Sequence, residues 1–409
     1  MNNITIKRNI LKKIDRELEK ITDISNLKQD EINKQNYEKY YYLFELAFKV
    51  LRKHKVLLYG GTAINEILPK RYKIYGEYEL PDIDVYCTKL DKIVKDMKTI
   101  FKKQKLETLY LKEALHKNTF KLYVEGLQLI DFSVVSEDVF KKLLKCSQNT
   151  SIGIPTVNIN YLKYSLHAML SQPLDSHRWT KIFNRLVYMY LSYPIKLNCS
   201  ININNYFIDI PDSVNNSIKK WISSKEYKEF GWNIIKTYIV NDKNFKKSVK
   251  KDFDISNNLK PIRYILAEDI SVKSINDLIK NVNDKLFKID HVYDGNELMS
   301  DYICMSYNGI KIMYIFTARS CVSYINYNNC NMLSIHSLLK QLYEIFLNTN
   351  NNDIQCIIQL LHYTLINNAF SKEELYDQFI INCYGKQKGF VTLRRDRFYN
   401  KFSKKIAEI

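Results

Sequence analysis

Apolar residues open the chain at helical spacing. Ile10, Leu11, Ile14, Leu18 and Ile21 recur every three or four positions, and a second series runs through Tyr41, Leu43, Phe44, Leu46, Ala47 and Leu51. Residues 1–54 are therefore expected to be helical. The period then changes. Val56 to Tyr59 is a short apolar strand running straight into Gly60-Gly61-Thr62, and Ala63 to Leu68 resumes as a helix stopped by Pro69. After a polar loop, 83–87 reads as a second strand, 91–103 as a lysine-rich helix and 106–112 as a further strand. Strands over 119–124 and 127–135 meet at Glu125-Gly126, a tight-hairpin signal.

From Tyr161 the pattern is helical again. Asp175 is placed to cap a helix carrying Arg178, Trp179, Lys181, Arg185 and Leu186, which ends before Pro194. The loop 198–212 reads as a boundary, followed by a helix over 215–238 and a lysine-rich connector over 242–251. Asn308-Gly309 joins strands 302–307 and 310–316, the strongest short-range hairpin signal. Three helices, 334–347, 353–367 and 371–382, follow, the last opening on the capping box Ser371-x-x-Glu374. This divides the chain into N-terminal helices (1–54), a strand-rich part with its following helices (55–197) and a C-terminal part (198–409).

Composition narrows the class. A chain of 409 residues exceeds one ordinary domain, and 46% hydrophobic with 13% aromatic content supports packed cores. The 62 Lys+Arg against 44 Asp+Glu give +18, which favours polyanionic partners: nucleic acid, nucleotides or an anionic membrane surface. No uninterrupted apolar window is long enough to span a bilayer, so no membrane partner is expected. The lysine-studded start has no apolar stretch of a secretory signal. The eight cysteines form no C-x-x-C pair, so free thiols in a reducing cytoplasm are expected, with neither zinc nor a disulfide framework.

Three features carry chemistry, in order: strand–Gly60-Gly61-Thr62–helix, then Asp82-Ile83-Asp84 entering a strand, then Asp131 inside the apolar run 127–132. Glycines at 60 and 61 let backbone amides approach a phosphate, and the following helix aims its unpaired N–H groups at the same anion. The Thr62 hydroxyl can donate to a phosphate oxygen. The D-x-D spacing matches the two-residue strand period, so Asp82 and Asp84 project from one face, where they repel unless a hard cation such as Mg²⁺ lies between them. With Asp131 from a neighbouring strand they make a site for two such ions, Mg²⁺ or Mn²⁺. A second D-x-D, Asp252-Phe253-Asp254, follows a lysine run and lacks the glycines. Asp131 read alone would be a solvated strand acid; the ordered triple is what distinguishes it.

At these residues the sequence resembles the nucleotidyltransferase superfamily of polymerase β-like enzymes and poly(A) polymerases. Within it, Gly60-Gly61-Thr62-Ala63-Ile64-Asn65, Leu80-Pro81-Asp82-Ile83-Asp84-Val85 and Asp131 are similar to the poly(A) polymerase catalytic subunits of poxviruses and other large DNA viruses. The segments Tyr161 to Pro173 and His177 to Ile182 share that likeness, and Cys321 to Tyr324 and Cys383 to Gly385 do so more loosely. The resemblance implies an α+β fold: a nucleotidyltransferase catalytic domain with a mixed sheet, then a second, non-catalytic nucleotidyltransferase-like domain. It implies transfer of AMP from ATP to RNA 3′ ends, in the infected cytoplasm or packaged in the virion. It also implies a homodimer or a processivity partner. CCA addition, uridylation, modification of a protein hydroxyl and an inactive RNA-binding scaffold are the other readings.

Secondary candidates are weaker. Arg178 and Lys181 can contact ATP phosphates or form a solvated basic face. Tyr161 and Tyr164 can stack on adenine or sit in the core. The tail from Gly385 to Lys405, with eight Lys+Arg and one acid, can grip an RNA backbone or stay solvated. His167 and His177 are read as structural.

Overall fold

The computed structural model describes residues 2–114, 118–194, 199, 201–239, 259–268, 270–328, 330–368, 371, 373–386, 392 and 395, side chains of 2–11, 203 and 272 excepted. The second D-x-D, the lysine-rich connector and nearly all of the basic tail lie outside these residues. Backbone packing divides the chain into two compact units, 1–135 with 144–157, and 136–143 with 158–409. The helices that the sequence pattern groups with 55–197 thus fall, from Asn158 onward, in the second unit.

The first unit opens with α1 (Asn2–Leu51), one helix of 50 residues where the pattern suggested two. No Gly or Pro interrupts it, so nothing in the backbone forces a break. Its C-terminal series does the packing: Leu43, Phe44, Ala47, Val50 and Leu51 are buried, whereas Ile14, Leu18 and Ile21 are exposed. The sheet runs β1 (Val56–Tyr59), β2 (Ile83–Cys87), β5 (Leu127–Val134), β4 (Thr119–Val124), β3 (Leu109–Glu113). Only β2 and β5 pair in parallel; the other neighbours are antiparallel. Helix α2 (Gly60–Ile67) leaves β1 directly, and α3 (Leu90–Lys103) buries Ile93, Met97 and Phe101 at four-residue steps. Each such fully buried side chain contributes roughly 1.5–3 kcal/mol.

Strand alternation sets the site. Ile83, Val85 and Cys87 of β2 are buried and so are Ile130 and Phe132 of β5, which leaves Asp84 and Asp131 on the opposite face. At the edge, Leu58 exchanges backbone hydrogen bonds with Pro155 and Val157, and the Thr156 hydroxyl donates to the Leu58 carbonyl at 3.1 Å.

Helix α4 (Glu137–Lys145) follows β5. In the second unit come α5 (Ile159–Leu170), α6 (Trp179–Ser192), the pair β6 (Phe207–Ile208) and β8 (Lys260–Pro261), α7 (Asp212–Ser224), β7 (Lys228–Glu229), α8 (Trp232–Ile239), β9 (Arg263–Ala267) and α9 (Val272–Val282). Then come β10 (Phe287–Tyr293), β11 (Tyr302–Tyr307), β12 (Ile310–Thr317), β13 (Val322–Tyr327), β14 (Cys330–Leu333), α10 (Ile335–Thr349), α11 (Asn352–Asn367) and β15 (Cys383–Tyr384). Eight strands form one mixed sheet in the order β10-β11-β12-β9-β7-β14-β13-β15. Alternate residues feed two cores. Leu266 and Phe316 join Trp232, Tyr238, Leu339 and Leu361 on one side, while Ile265, Met313 and Ile315 join Ile218, Trp221 and Leu278 on the other. The α+β class and mixed sheets expected from the sequence are observed. Among the described residues no helix is long and apolar enough to cross a membrane.

Several local expectations fail for tertiary reasons. Asp175 lies inside a 3-10 turn, Pro173–Arg178, and α6 starts at Trp179 without a side-chain cap. The helix expected over 215–238 is broken: Glu226 takes a left-handed φ of 53° and Lys228–Glu229 pairs with β9. The capping box at Ser371 gives only a 3-10 turn, Glu374–Tyr376. Against the expectation of free thiols, Cys199 is joined to Cys356 and Cys321 to Cys383, partners 157 and 62 residues apart. Cys304 also lies beside Asp290 and His291, donor atoms within 4.8 Å of one another. Spacing along the chain cannot reveal such partners.

Three histidines are buried in the second unit: His167, His336 and His362. The Nδ1 atoms of His167 and His336 are 2.9 Å apart and His167 Nε2 meets the Tyr190 hydroxyl at 2.9 Å. Burial holds His336 down to about 3. Burial also holds His167 and His362 well below the usual imidazole range, helped in both by the charges of His336 and Lys163. A base depressed on folding gives stability that is complete above its ordinary value near 6.5 and is lost as pH falls below it. Each pH unit below costs about 1.4 kcal/mol per such group. Thermal unfolding is therefore expected to move to lower temperature between pH 7 and pH 5. An unfolding temperature that stays level across that range would contradict the buried neutral cluster.

Candidate active site

β2 and β5 run parallel in the register Asp84↔Asp131, which puts both carboxylates side by side on the face opposite the buried Ile83, Val85, Ile130 and Phe132. Asp82 precedes β2 and is exposed. The three are close enough to interact. Burial, then the charges of Asp82 and Asp131, push the Asp84 carboxyl well above the usual range. Asp131 is also pushed up, by burial first and by Asp82, against the pull of Lys121 and Gln128.

The glycine turn is built around Asp84. Tyr59 at the end of β1 pairs with Asp84, so the chain turns into α2 directly over that carboxylate. Gly60 has φ 68°, and a Cβ there would meet Asp84 Oδ2 at 2.1 Å. The Gly61 N–H hydrogen-bonds the Asp84 carboxylate, partly offsetting its desolvation. Thr62 is buried, and its hydroxyl donates to the Asp82 carbonyl at 2.6 Å. The expected phosphate donor thus commits its one proton to fixing the loop that carries Asp82.

Other residues complete the setting, of which only Asn65 falls within a motif quoted from the sequence. Lys121 on β4 lies opposite Asp131, with Nζ 2.9 Å from Oδ2. The Gln128 amide donates to Asp131 Oδ1 at 2.8 Å. The Asn65 side-chain oxygen accepts from the backbone N–H groups of Ile74 and Tyr75 at 2.9 and 3.3 Å, pinning the loop before the carboxylates. Tyr59 and Tyr86 stack beside them at 4.1 Å between centroids, with the Tyr59 hydroxyl 2.8 Å from Ser133 Oγ.

The remaining candidates belong to the second unit. Arg178 and Lys181 belong to the second unit, exposed at the start of α6. Tyr161 is buried, and the Tyr164 hydroxyl donates to the Glu344 carboxylate at 3.2 Å; both serve the packing of that unit. His177 is exposed in the 3-10 turn.

Three neighbouring carboxylates, with Asp84 and Asp131 raised by burial first and then by neighbouring charge, offer only oxygen donors and fit a hard divalent cation. A family comparison matches the same segment. Residues 45–176, which include every one of the three aspartates and the glycine turn, match the family described as Poly(A) polymerase catalytic subunit. A poly(A) polymerase catalytic subunit of Acanthamoeba polyphaga mimivirus is 27% identical over 194 residues, 44% of this chain and 31% of that protein. The match therefore spans less than a third of the relative's length. The fold extends further: the crystal structure of the Megavirus polyadenylate synthase matches with a TM-score of 0.75 over 96% of this chain and 83% of that one, at 19% identity. That likeness places the chain in the α+β architecture of viral poly(A) polymerases.

Proposed function

We propose that this chain is a template-independent polynucleotide adenylyltransferase that adds AMP from ATP to RNA 3′ ends. The observation that carries the proposal is the register Asp84↔Asp131 on parallel strands, with Asp82 two residues before Asp84 and the glycine turn above it. In the reaction the RNA 3′-oxygen bonds to the α-phosphorus of ATP. The bond from that phosphorus to the bridging oxygen of the β-phosphate breaks, pyrophosphate leaves and the 3′-hydroxyl gives up its proton.

Asp82, Asp84 and Asp131 would hold the divalent cations, a pair of Mg²⁺ or Mn²⁺ ions, which when bound supply Lewis acidity and counter the charge on the phosphates. The chain's own residues set the stage. Gly60 lets the backbone close over Asp84, and Thr62 holds the Asp82 loop in place. Lys121 neutralises Asp131 in the absence of another cation and can turn to a phosphate when that partner is displaced. Arg178 and Lys181 are proposed as further phosphate contacts, each testable by a rise in KM for ATP on substitution with Ala. A homodimer, or a separate processivity partner, belongs to the same proposal and is read out by sedimentation with and without RNA. So does action in the cytoplasm of an infected cell.

The test is primer extension with a labelled RNA oligonucleotide, Mg²⁺ or Mn²⁺, and each NTP separately. ATP is expected to give a ladder at least tenfold more efficiently than CTP or UTP. Preference for CTP or UTP would move the assignment to CCA addition or uridylation. No extension by folded protein would leave an RNA-binding scaffold.

A further inference from the structure

The second unit contains a cleft of about 270 Å³ that no step above uses. Its wall is aromatic because three strands bring rings to one face. Tyr264 on β9 pairs directly with Tyr314 on β12, and their rings stack at 5.0 Å and 15°. Tyr302 on β11 pairs with Phe316, two residues beyond Tyr314 on the same face, with ring centroids 5.0 Å apart. Of these four, only Phe316 is fully buried; the three tyrosines remain half-buried, facing the cleft. Burial, then the neighbouring Tyr264, pushes the Tyr314 hydroxyl up, so this wall carries no charge near neutral pH.

The rim has the opposite character. Asp353, in the first turn of α11, accepts from the Asn205 side-chain amide at 3.1 Å and from the Asn202 backbone at 3.4 Å. Asn351, which caps the same helix, and exposed Lys311 on β12 also line the opening. Uncharged rings below, an amide–carboxylate pair at the edge and one lysine at the mouth make a combination suited to a nucleotide. A planar base stacks on aromatic faces, its edge exchanges hydrogen bonds with carboxamide and carboxylate groups, and its phosphate meets the ammonium. The volume is near the lower end for small-molecule sites, about 300 Å³, which suits one base and not a dinucleotide cofactor. The chain's net charge of +18 favours a polyanion as the source of that base.

We propose that this cleft in the second unit binds one unstacked base of single-stranded RNA, with Lys311 at the adjoining phosphate. Only the choice of RNA as the polymer rests on the adenylyltransferase reading. The cleft would act as an anchor for the primer, separate from the carboxylates that carry the chemistry.

The experiment uses the full chain without ATP or divalent metal and a short single-stranded RNA carrying 2-aminopurine, followed by fluorescence and anisotropy. Binding is expected to quench the reporter. Tyr302→Leu is expected to raise the RNA Kd about tenfold, in line with stacking, and to abolish the quench, while Tyr302→Phe stays within twofold. Lys311→Ala, an exposed change that leaves the fold intact, is expected to raise Kd a few-fold and lower the salt slope by about one. Unchanged Kd in both Lys311→Ala and Tyr302→Leu would overturn the proposal. If Tyr302→Leu fails to fold, unchanged Kd in Lys311→Ala with unchanged quench in a Tyr314→Leu variant overturns it. Competition by free AMP as effective as by RNA overturns RNA as the occupant. Because neither ATP nor metal is present, a chain that binds RNA here yet transfers no nucleotide would refute the adenylyltransferase reading and leave the cleft standing.

Discussion

Changing Asp82 and Asp84 together to Asn is expected to reduce nucleotide transfer by roughly 10³-fold or more, about 4 kcal/mol of transition-state stabilisation, without unfolding the protein. The shape of the site is kept, and only its negative charge is lost. Stability should move the other way. Asp84 is an acid raised on folding, by burial first and then by Asp82 and Asp131. Its contribution to stability is fully present at low pH, below the ordinary aspartate value, and is lost as pH rises through the folded value. Above the ordinary aspartate value the metal-free protein therefore bears a cost from this buried carboxyl, and the Asn variant should melt at the same or a higher temperature. Adding Mg²⁺ or Mn²⁺ should raise the melting temperature of the native chain and leave the variant unmoved. Transfer surviving in the double variant would show that the chemistry lies elsewhere.

Much of that site is legible in the sequence because it depends on short-range rules. A four-residue apolar strand, two glycines and a resumed helix identify the turn, and the two-residue period assigns Asp84 to the polar face of β2. Turn chemistry was equally direct: Glu125-Gly126 and Asn308-Gly309 all take the positive φ their hairpins require, 48° and 81°, 49° and 77°. Lys121 escaped for an instructive reason. A regular hairpin turning at 125 and 126 pairs Lys121 with Ile130, but a bulge between Leu122 and Tyr123 shifts the register by one and sets the lysine opposite Asp131. A register slip of that kind leaves no local mark in the chain.

The second unit was less legible because its order comes from distant partners. Lys228–Glu229 is a strand because Ile265 and Leu266 lie on one side of it and Met332 on the other, and it interrupts what the apolar period alone makes a continuous helix. β9 likewise lies between β7 and β12, and β14 beside β7, neighbours far apart in sequence. Tyr264 and Tyr314, fifty residues apart, become a stacked pair only through the parallel pairing of β9 and β12. Among 31 tyrosines no sequence rule singles them out.

Gly60 offers the most discriminating single change. Substitution by Ala forces an L side chain to hold φ 68°, at a cost on the order of 1–2 kcal/mol. It also places a methyl group 2.1 Å from Asp84 Oδ2, so the carboxylate must leave its position or the turn must open. Either movement separates Asp84 from the Gly61 N–H and from its register with Asp131. Transfer is expected to fall by roughly 10²-fold, the penalty typical of an ångström-scale misplacement of a reacting group. Gly126→Ala supplies the control, since it has a comparable φ of 81° with nothing within 4 Å of the added carbon. That variant should lose a similar increment of stability, read as a lower melting temperature, with kcat intact at saturating ATP and RNA. Equal melting losses with a hundredfold difference in kcat would assign Gly60 to the chemistry of Asp84. If both variants kept full kcat, Gly60 would be only a turn residue, and the close approach to Asp84 would have no catalytic meaning.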